Sequence, residues 1–259
     1  MSFRHPLILD VLRRDGRATV EGLAAALGVT VQTIRRDLSD LAETGHLTRV
    51  HGGAVLPSGV TNIAHGDRRA LNADAKADIA RRAAALIPDR ASVFLNIGTT
   101  TEAVAQALRT HDGLMVVTNN LNVANILAES DADVVVTGGT LRRADGGLTG
   151  PLAAAAVARF KVDVAVVGCS ALDQDGDLLD FDPSEVEVSQ AILRQSRRRI
   201  LVADQSKLER EAPVRIGTLD QIDIWVSDGR PPRPLEARLE GWDTTLDLPR
   251  DAGDWVAVG

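Results

Sequence analysis

The sequence predicts an α/β protein with two domains, an N-terminal winged helix-turn-helix and a larger domain built on a parallel β-sheet. Residues 19–53 contain two short helical patterns, a glycine turn between them, a basic strand and a Gly-Gly tip. From residue 91 onward, short runs of Val, Ile and Leu alternate with helical segments. That alternation is typical of a parallel sheet with helices on both faces.

Length and charge limit the classes of protein to be considered. The chain of 259 residues is long enough for a small and a medium domain. Its net charge of −7 excludes a globally basic nucleic-acid coat. Residues 1–56 hold seven Arg and six acidic residues, which leaves 22 of the 29 basic and 30 of the 36 acidic residues for the remainder. We therefore expect only the N-terminal part to approach DNA phosphates.

Cysteine usage and hydropathy indicate the compartment. Cys169 is the only cysteine, which excludes an intrachain disulfide and favours a reducing environment. We expect this residue to be a buried, inert thiol. The chain shows no signal-peptide pattern and no apolar run as long as a membrane span, so we expect a soluble, cytoplasmic protein without a membrane partner. His and Cys do not occur at metal-ligand spacing, and we expect neither a metal nor a cofactor.

Three helices are predicted before residue 45. The first begins near Pro6 and ends before Gly16. The second covers 19–27 and the third covers 30–44, each capped by a threonine at its first position. The third helix places Ile34, Leu38 and Leu41 on one face, and residues 46–50 follow as a wing strand.

The opposite face of the third helix is polar and predicts contact with duplex DNA. In the major groove Gln pairs with adenine, and Arg pairs with guanine or holds phosphates. Wing residues would reach the backbone or the minor groove. The alternative is a surface helix with a solvated charged face. The candidate DNA-binding residues are Thr30, Gln32, Thr33, Arg35, Arg36, Ser39, Arg49, His51 and Gly52.

The predicted domains are a DNA-binding domain over 1–56, a connector over 57–75 that is polar and contains glycines, and a larger domain over 76–259. The predicted strands of the larger domain are 92–97, 114–118, 133–137, 163–167, 199–203 and 222–226. The predicted helices are 76–87, 102–108, 122–128, 151–160 and 184–196.

A glycine and three threonines stand at the first strand-to-helix junction of the larger domain. Backbone N–H groups at a helix start, together with hydroxyls, suit a phosphate group. The alternative is an ordinary threonine-capped turn. Nucleotide-binding glycine motifs are absent from the sequence, which argues against a nucleotide ligand. The candidate residues are Gly98, Thr99, Thr100, Thr101 and Glu102.

Polar residues also follow several of the other predicted strands. Ligands of parallel sheets bind beyond the carboxyl ends of the strands, so we expect these residues to converge on a small polyhydroxylated ligand. Carboxylates and amides hold hydroxyls, whereas Lys207 or Arg142 balances phosphate charge. Each residue alone also fits a turn, a bend or a helix cap. The candidates are Asn119, Asn120, Gly139, Arg142, Asp145, Gly146, Gly147, Asp182, Glu185 and Lys207.

Taken together, these motifs resemble the DeoR-type bacterial repressors over about residues 1–230. The DNA-binding segment carries Thr30-Val-Gln-Thr-Ile-Arg-Arg-Asp-Leu38 and Arg49-Val-His-Gly-Gly53. The resemblance implies a C-terminal sensor domain similar in fold to ribose-5-phosphate isomerase, which binds phosphorylated sugars. Gly98-Thr-Thr-Thr101 matches the family's phosphate loop, and Asp204-Gln-Ser-Lys207 matches its Asp-x-Ser-Lys motif.

Other strings are similar to those of family members that respond to glycerol 3-phosphate. They are Ile97-Gly-Thr-Thr-Thr-Glu-Ala-Val-Ala-Gln-Ala-Leu108, Thr118-Asn-Asn-Leu-Asn-Val-Ala-Asn125, Asp145-Gly-Gly147 and Leu178-Leu-Asp-Phe-Asp-Pro-Ser-Glu-Val186. The chain departs from the family pattern at Ala171-Leu172-Asp173 and at Pro183-Ser184. The resemblance implies a phosphorylated sugar or polyol as effector, with glycerol 3-phosphate favoured.

The expected function is repression of a sugar or polyol catabolic operon through double-stranded operator DNA, relieved by the effector. Helix-turn-helix proteins usually read two half-sites, so we expect a homodimer or tetramer. Three alternatives remain open at this stage. They are a repressor answering a different sugar phosphate, a DNA-binding architectural protein without a ligand, and a sugar-phosphate isomerase with Asp182 or Glu185 as base and Lys207 as electrostatic partner.

Overall fold

A computed structural model describes five stretches of the chain, namely 4–15, 17–44, 46–50, 52–55 and 71–249. The chain divides into two compact units, Met1–Ile63 and Ala64–Gly259. Most of the predicted connector and the candidate His51 lie outside the described residues. The exact domain boundaries therefore stay a prediction.

The first unit contains three helices and three short strands. They are α1 His5–Asp15, β1 Arg17–Thr19, α2 Val20–Leu27, α3 Val31–Glu43, β2 Thr48–Val50 and β3 Gly53–Val55. The predicted caps are confirmed, because Thr19 Oγ1 accepts from Gly22 N at 3.0 Å and Thr30 Oγ1 accepts from Thr33 N at 3.2 Å. Gly28 ends α2 with a positive φ of 64°.

The helices of this unit enclose a core that contains the predicted Ile34, Leu38 and Leu41. The strands form an antiparallel sheet in the order β1-β3-β2. The sequence did not predict β1 or β3, because three residues are too few to show an alternating pattern. Gly53 pairs in β3, and a Cβ there would lie 2.1 Å from the carbonyl oxygen of Ala18. Gly53 is therefore required by strand pairing, and Gly52, with φ of 80°, makes the turn.

The second unit begins with α4 Ala73–Ala85. Its first half continues with β4 Ser92–Leu95, α5 Thr99–Leu108, β5 Met115–Thr118, α6 Leu121–Leu127, β6 Asp133–Val136, β7 Thr140–Arg142, β8 Gly147–Thr149 and α7 Pro151–Val157. Its second half contains β9 Val162–Val167, β10 Ala171–Leu172, β11 Asp177–Asp180, α8 Pro183–Arg194, β12 Ser196–Val202, β13 Val214–Thr218, β14 Ile224–Val226, α9 Arg233–Gly241 and β15 Thr245–Asp247. Two short 3₁₀ helices cover Gln205–Glu209 and Leu219–Gln221.

Seven strands form a parallel sheet in the order β15-β14-β12-β9-β4-β5-β6. Side chains alternate between two cores, since Phe94 belongs to one and Val93 and Leu95 belong to the other. The predicted parallel sheet with both faces covered is thereby confirmed. From β4 the chain continues to β5 on one side, and from β9 it continues to β12 on the other. The carboxyl ends of β4 and β9 therefore flank a crevice of the kind in which such sheets bind ligands.

Smaller elements of the second unit were not predicted. Strands β10, β11 and β13 form a separate antiparallel sheet, and β7 pairs with β8 as a hairpin. These strands are short and mix charged with apolar residues, as in Asp177–Asp180, so they lack the continuous apolar runs of the parallel sheet. Helix α5 also begins at Thr99, three residues before the predicted start, because the threonines form its first turn.

Candidate functional site

Helix α3 presents the predicted polar face. Gln32, Arg35 and Arg36 are exposed on it, while Ile34 is fully buried beneath. The hydroxyls of Thr30 and Thr33 lie 2.8 Å apart and serve the start of the helix. Gln32, Arg35 and Arg36 therefore have the long, exposed side chains that could reach base edges.

The wing is attached to α3 through one of its arginines. Arg49 Nη1 donates to Ser39 Oγ at 2.8 Å, and Ser39 Oγ donates to the carbonyl oxygen of Arg35 at 2.9 Å. Gly52 is exposed at the turn between β2 and β3. Two of the candidate DNA-binding residues, Ser39 and Arg49, thus contact each other and fix the wing relative to the helix.

Asp37 is a residue that the sequence analysis missed. It is buried in α3 and accepts a hydrogen bond from Arg4 Nε at 2.8 Å, while His5 Nε2 lies 3.4 Å from its other oxygen. These contacts join the start of α1 to the middle of α3 and orient the helix. The local pattern gives no signal for this, because Arg4 lies 33 positions away.

The loop after β4 gives its threonines different roles. Thr101 is fully buried, and its hydroxyl donates to the carbonyl oxygens of Asn96 at 2.8 Å and Gly98 at 2.7 Å. Thr100 is also buried, whereas Thr99 is partly exposed. Gly98 has a positive φ of 148°, and no side chain caps the first turn of α5. Thr99 is therefore the threonine best placed to meet a ligand.

Thr99 faces a small cationic cavity. The cavity brings together two segments that the sequence analysis had named separately, the phosphate loop and Lys207. It is lined by Leu71, Asn72, Lys76, Thr99, Asp204, Ser206, Lys207 and Arg210. Three of these residues are cations and one is an acid. The sequence analysis missed Lys76 and Arg210, since they come from distant parts of the chain and carry no motif.

Asp204 is the acidic member of this cavity. It is buried, caps the 3₁₀ helix through Ser206 N at 3.0 Å and accepts from Asn72 Nδ2 at 3.2 Å. Burial alone would raise the pKa of Asp204, but Lys207, Ser206 and Lys76 together hold it below its ordinary value. Asp204 is therefore an ionised carboxylate whose charge is balanced by Lys207 and Lys76.

A second cluster surrounds Arg142 at the end of β7. Its guanidinium contacts Asp145 at 2.5 Å, Glu185 at 2.6 Å and Asp182 at 3.2 Å. Burial by itself lowers the pKa of Arg142, but the bonds to Asp145 and the charge of Glu185 more than offset this and raise it. The cluster joins the hairpin β7–β8 to the start of α8. We expected Arg142 to balance phosphate charge, and here three carboxylates share its charge.

Glu185 is the unusual acid of this cluster. Burial, followed by the nearby charge of Asp180, raises the pKa of Glu185 to about 8, although Arg142 acts in the opposite direction. Asp180 is itself buried and accepts from Ser170 Oγ at 3.0 Å. A carboxyl group that titrates near neutral pH can either donate to or accept from a ligand hydroxyl.

The amide and acidic candidates between these clusters bond to the protein. Glu102 Oε1 accepts from Asn122 Nδ2 at 2.9 Å and from Asn120 Nδ2 at 3.3 Å. Asn120 Oδ1 caps α6 by accepting from Asn122 N at 2.8 Å. Asn119 Nδ2 donates to the carbonyl oxygen of Leu148 at 3.1 Å, while its Oδ1 is buried without a hydrogen-bond partner. These residues dock the hairpin on the carboxyl end of β5.

The candidate glycines allow close packing of the same hairpin. A Cβ at Gly147 would lie 2.5 Å from Ile97 Cδ1, and one at Gly139 would lie 2.8 Å from the carbonyl oxygen of Thr149. Gly146 makes the hairpin turn with φ of 73°. Gly147 therefore allows the hairpin to pack closely against the loop after β4.

That loop lies between the two clusters. Asn96 Nδ2 donates to Ser189 Oγ in α8 at 2.8 Å, and Ser189 Oγ donates to the carbonyl oxygen of Glu185 at 3.1 Å. At its other end the loop carries Thr99 into the cationic cavity. The two clusters share no residue, and a ligand that reached both would cross the carboxyl end of β4.

Cys169 follows β9 and is buried. Burial raises the pKa of its thiol to about 12, so the thiolate is not available as a nucleophile. The expectation that this thiol is buried is confirmed. Among the residues described by the structure, none of the helices is both long enough and apolar enough to cross a bilayer.

Comparisons with solved structures find distant similarity. The sorbitol operon regulator SorC of Klebsiella pneumoniae is 14% identical and gives a TM-score of 0.42 over 92% of this chain and 100% of that chain. Ribose-5-phosphate isomerase A of Neisseria gonorrhoeae is 16% identical, with a TM-score of 0.38 over 51% of this chain and 52% of that chain.

Sequence comparisons are far stronger. A protein of Haemophilus influenzae named glycerol-3-phosphate regulon repressor is 46% identical over 248 residues, covering 95% of this chain and 96% of that protein. One of the same name from Escherichia coli K12 is 42% identical over 246 residues, covering 95% of this chain and 98% of that protein. Residues 4–60 match the DeoR-like helix-turn-helix domain, and residues 71–229 match the DeoR C terminal sensor domain. The chain therefore belongs to the DeoR family of DNA-binding transcription regulators.

Proposed function

We propose that this protein is a repressor of a glycerol-3-phosphate or related polyol catabolic operon, and that glycerol 3-phosphate relieves the repression. One observation carries the proposal. The same chain has two features: Gln32, Arg35 and Arg36 are exposed on α3, and Thr99 and Lys207 line one cationic cavity. The names of its relatives in two bacteria support the choice of effector.

In this proposal α3 enters the major groove of operator DNA. Gln32 and Arg35 read base edges, and Arg36 with Arg49 holds phosphates. Thr30, Thr33, Ser39, His51 and Gly52 complete the proposed interface. A homodimer or tetramer presents two such helices to two half-sites, separated by about 10 base pairs or a multiple of that spacing.

The effector occupies the carboxyl end of the sheet. Its phosphate lies at the first turn of α5, where Gly98 and Thr99 offer backbone N–H groups and Lys207 supplies charge. Its hydroxyl groups extend toward the cluster of Arg142, Asp182 and Glu185. The remaining candidates, Thr100, Thr101, Glu102, Asn119, Asn120, Gly139, Asp145, Gly146 and Gly147, shape the walls between them.

The proposal excludes catalysis. An isomerase would need its carboxylate base and Lys207 at the same reacting carbon. Glu185 is paired with Arg142, whereas Lys207 lines the other cavity beside Asp204. A bacterial regulator of this kind works in the cytoplasm, where its operator is.

A screen of ligands by thermal unfolding tests the effector. Purified protein is heated with glycerol 3-phosphate, fructose phosphates, ribose 5-phosphate or unphosphorylated glycerol. A ligand at 100 times its dissociation constant stabilises the folded state by about 2.7 kcal/mol, so a binder raises the unfolding temperature. A rise with glycerol 3-phosphate supports the proposal, and a rise with another ester alone replaces the effector. The absence of any rise would count against the cavity.

Lys207→Gln is expected to weaken glycerol 3-phosphate binding roughly 10- to 100-fold, because it removes a charge-assisted hydrogen bond to the phosphate. Isothermal titration calorimetry measures the change. Lys161→Gln is the matched control, since that exposed lysine donates to the carbonyl oxygen of Arg194 at 3.0 Å on a different part of the unit. Equal affinities in both variants would contradict the proposed phosphate site.

Arg35→Ala is expected to weaken operator binding by about 1–3 kcal/mol, because it removes an exposed base-reading side chain. Fluorescence anisotropy measures the loss, with a DNA fragment selected by this protein from a random-sequence pool. Arg81→Ala, a change of an arginine that is 75% exposed in α4, serves as control. If Arg35→Ala bound the selected DNA as tightly as the control, α3 would not be the reading helix as proposed.

A further inference from the structure

The first residues of the second unit form one wall of the cationic cavity. Leu71, Asn72 and Lys76 line it together with Thr99 and Lys207. In sequence these three residues directly follow the segment that leads from the DNA-binding domain. Along the chain, this wall is therefore the part of the cavity nearest to the DNA-binding domain, whose affinity for DNA the effector must change.

Asn72 stands at the start of α4 but does not cap it. Asparagine at this position normally accepts a hydrogen bond from its own helix. Here Asn72 has φ of 53°, and its side chain makes no cap. Instead its Nδ2 donates to Asp204 Oδ1 at 3.2 Å, across 132 positions of sequence. The side chain of Asn72 thus links the start of α4 to Asp204 in the cavity lining.

Lys76 is buried one turn into the same helix, with 6% of its surface exposed. Its Nζ donates to the carbonyl oxygen of Leu71 at 2.6 Å, and its charge lies close enough to Asp204 to stabilise that carboxylate. A buried ammonium group requires such partners. Lys76 therefore connects the same wall to the same acid as Asn72 does.

Charge and size together describe what the cavity admits. Among its described lining residues, Lys76, Lys207 and Arg210 face the single acid Asp204. Cationic side chains of this kind suit a phosphate group. The space between them has room for about one water molecule, so a phosphate group enters only if the lining moves.

The lining does not resist movement equally. Asp204 and Lys76 are buried, and Thr99 begins a helix packed on the sheet. Leu71, Ser206, Lys207 and Arg210 are half-buried, whereas Asn72 is exposed, so displacing Asn72 removes the least packing. Movement of the wall at Asn72 therefore costs the least.

We propose that Lys76 is a further ligand of the effector's phosphate, and that binding breaks the hydrogen bond between Asn72 and Asp204 and so carries the signal into the connector. The inference rests on the proposed function. Lys76 exchanges the carbonyl oxygen of Leu71 for phosphate oxygens. The Asn72–Asp204 bond belongs to the effector-free, DNA-competent arrangement, and its loss shifts the population away from that arrangement.

Substitutions at Lys76 and at Asn72 are expected to change the affinity for glycerol 3-phosphate in opposite directions, because coupling between the effector and operator sites is reciprocal. Lys76→Gln is expected to weaken glycerol 3-phosphate binding at least 10-fold, and Lys76→Arg, which keeps the charge, recovers most of it. Asn72→Ala removes a bond of the effector-free state. It is expected to tighten glycerol 3-phosphate binding roughly 2- to 10-fold and to weaken operator binding by a similar factor.

The test uses the full chain, with glycerol 3-phosphate and inorganic phosphate as probes in calorimetry and the selected DNA fragment in anisotropy. Lys161→Gln is the control, and thermal unfolding verifies that each variant folds. Asn72→Gly, which accepts the positive φ at this position and also lacks the donor, is the second variant and should shift both affinities in the same directions as Asn72→Ala.

The outcomes separate this inference from the proposed function. The inference is overturned if Lys76→Gln binds glycerol 3-phosphate as tightly as the wild-type chain does, or if both Asn72 variants keep the wild-type affinities for effector and operator. In either case, binding of glycerol 3-phosphate by the wild-type chain would still support the proposed effector. If the wild-type chain bound neither probe, the proposed effector would fail and the inference would fail with it.

Discussion

Replacing Arg142 with Met is expected to lower the free energy of unfolding by about 3–5 kcal/mol, because the change leaves the buried carboxylate of Asp145 without its counter-ion. Asp145 and Glu185 are both buried and both contact the guanidinium, at 2.5 and 2.6 Å. Asp182 loses its contact as well. The hairpin β7–β8 would then separate from α8, and the proposed hydroxyl-binding end of the site would open.

Urea unfolding at neutral pH measures this effect. The control is Arg109→Met, which removes an ion pair to Glu129 in which the side chains are 40% and 78% exposed, and which should cost less than about 1 kcal/mol. The double variant Arg142→Met with Asp145→Asn removes the stranded charge of Asp145 and should recover part of the loss. Equal losses in Arg142→Met and Arg109→Met would show that the buried cluster does not hold the hairpin to α8.

Glu185→Gln is expected to stabilise the protein above pH 8 and to flatten the pH dependence of stability below it. The folded pKa of Glu185, about 8, lies above its ordinary value of 4.5. The folded state therefore binds more protons than the unfolded state between these values, and stability falls as pH rises through that window. Gln resembles the protonated acid and does not titrate, so the variant avoids a loss on the order of a few kcal/mol.

Urea unfolding of both proteins at intervals from pH 5 to pH 9 tests this expectation. The two stability curves should separate progressively as pH rises and run parallel above about pH 8. Asp163→Asn is a useful control, since hydrogen bonds from Ser92 lower the pKa of that exposed carboxyl. Curves for Glu185→Gln and wild type that stayed parallel from pH 5 to 9 would mean that Glu185 is charged throughout.

The sequence predicted those parts of the fold that repeat a strong local signal. Valine-rich runs such as 163–167 coincide with buried strands. Threonine caps such as Thr19 and Thr30 coincide with helix starts. The wing hairpin was predicted from only one of its strands. A three-residue strand such as β3 is recognised only once Gly53 is seen to pair with Thr19.

The candidate site was predicted in part, and for a physical reason. Polar residues at the carboxyl ends of parallel strands must gather at one edge of the sheet, and this brought Thr99 and Lys207 to one cavity. Lys76, Arg210 and Asp37 were not predicted. Each lies beside residues that are far away in sequence, and the residue itself sits in an unremarkable helical or loop pattern.

The order of strands in the sheet also determines how the chain can fold during synthesis. Central strand β4 pairs on one side with β5, which follows soon after, but on the other with β9, where Val93 meets Val164. Until β9 leaves the ribosome, one edge of this central strand is unpaired and open to other chains. The N-terminal unit, whose core residues all lie between Ile8 and Ala54, can fold long before that. The DNA-binding domain is thus synthesised before the sensor domain that regulates it. A chain that stopped before β9 would contain the DNA-binding domain without a complete sensor domain.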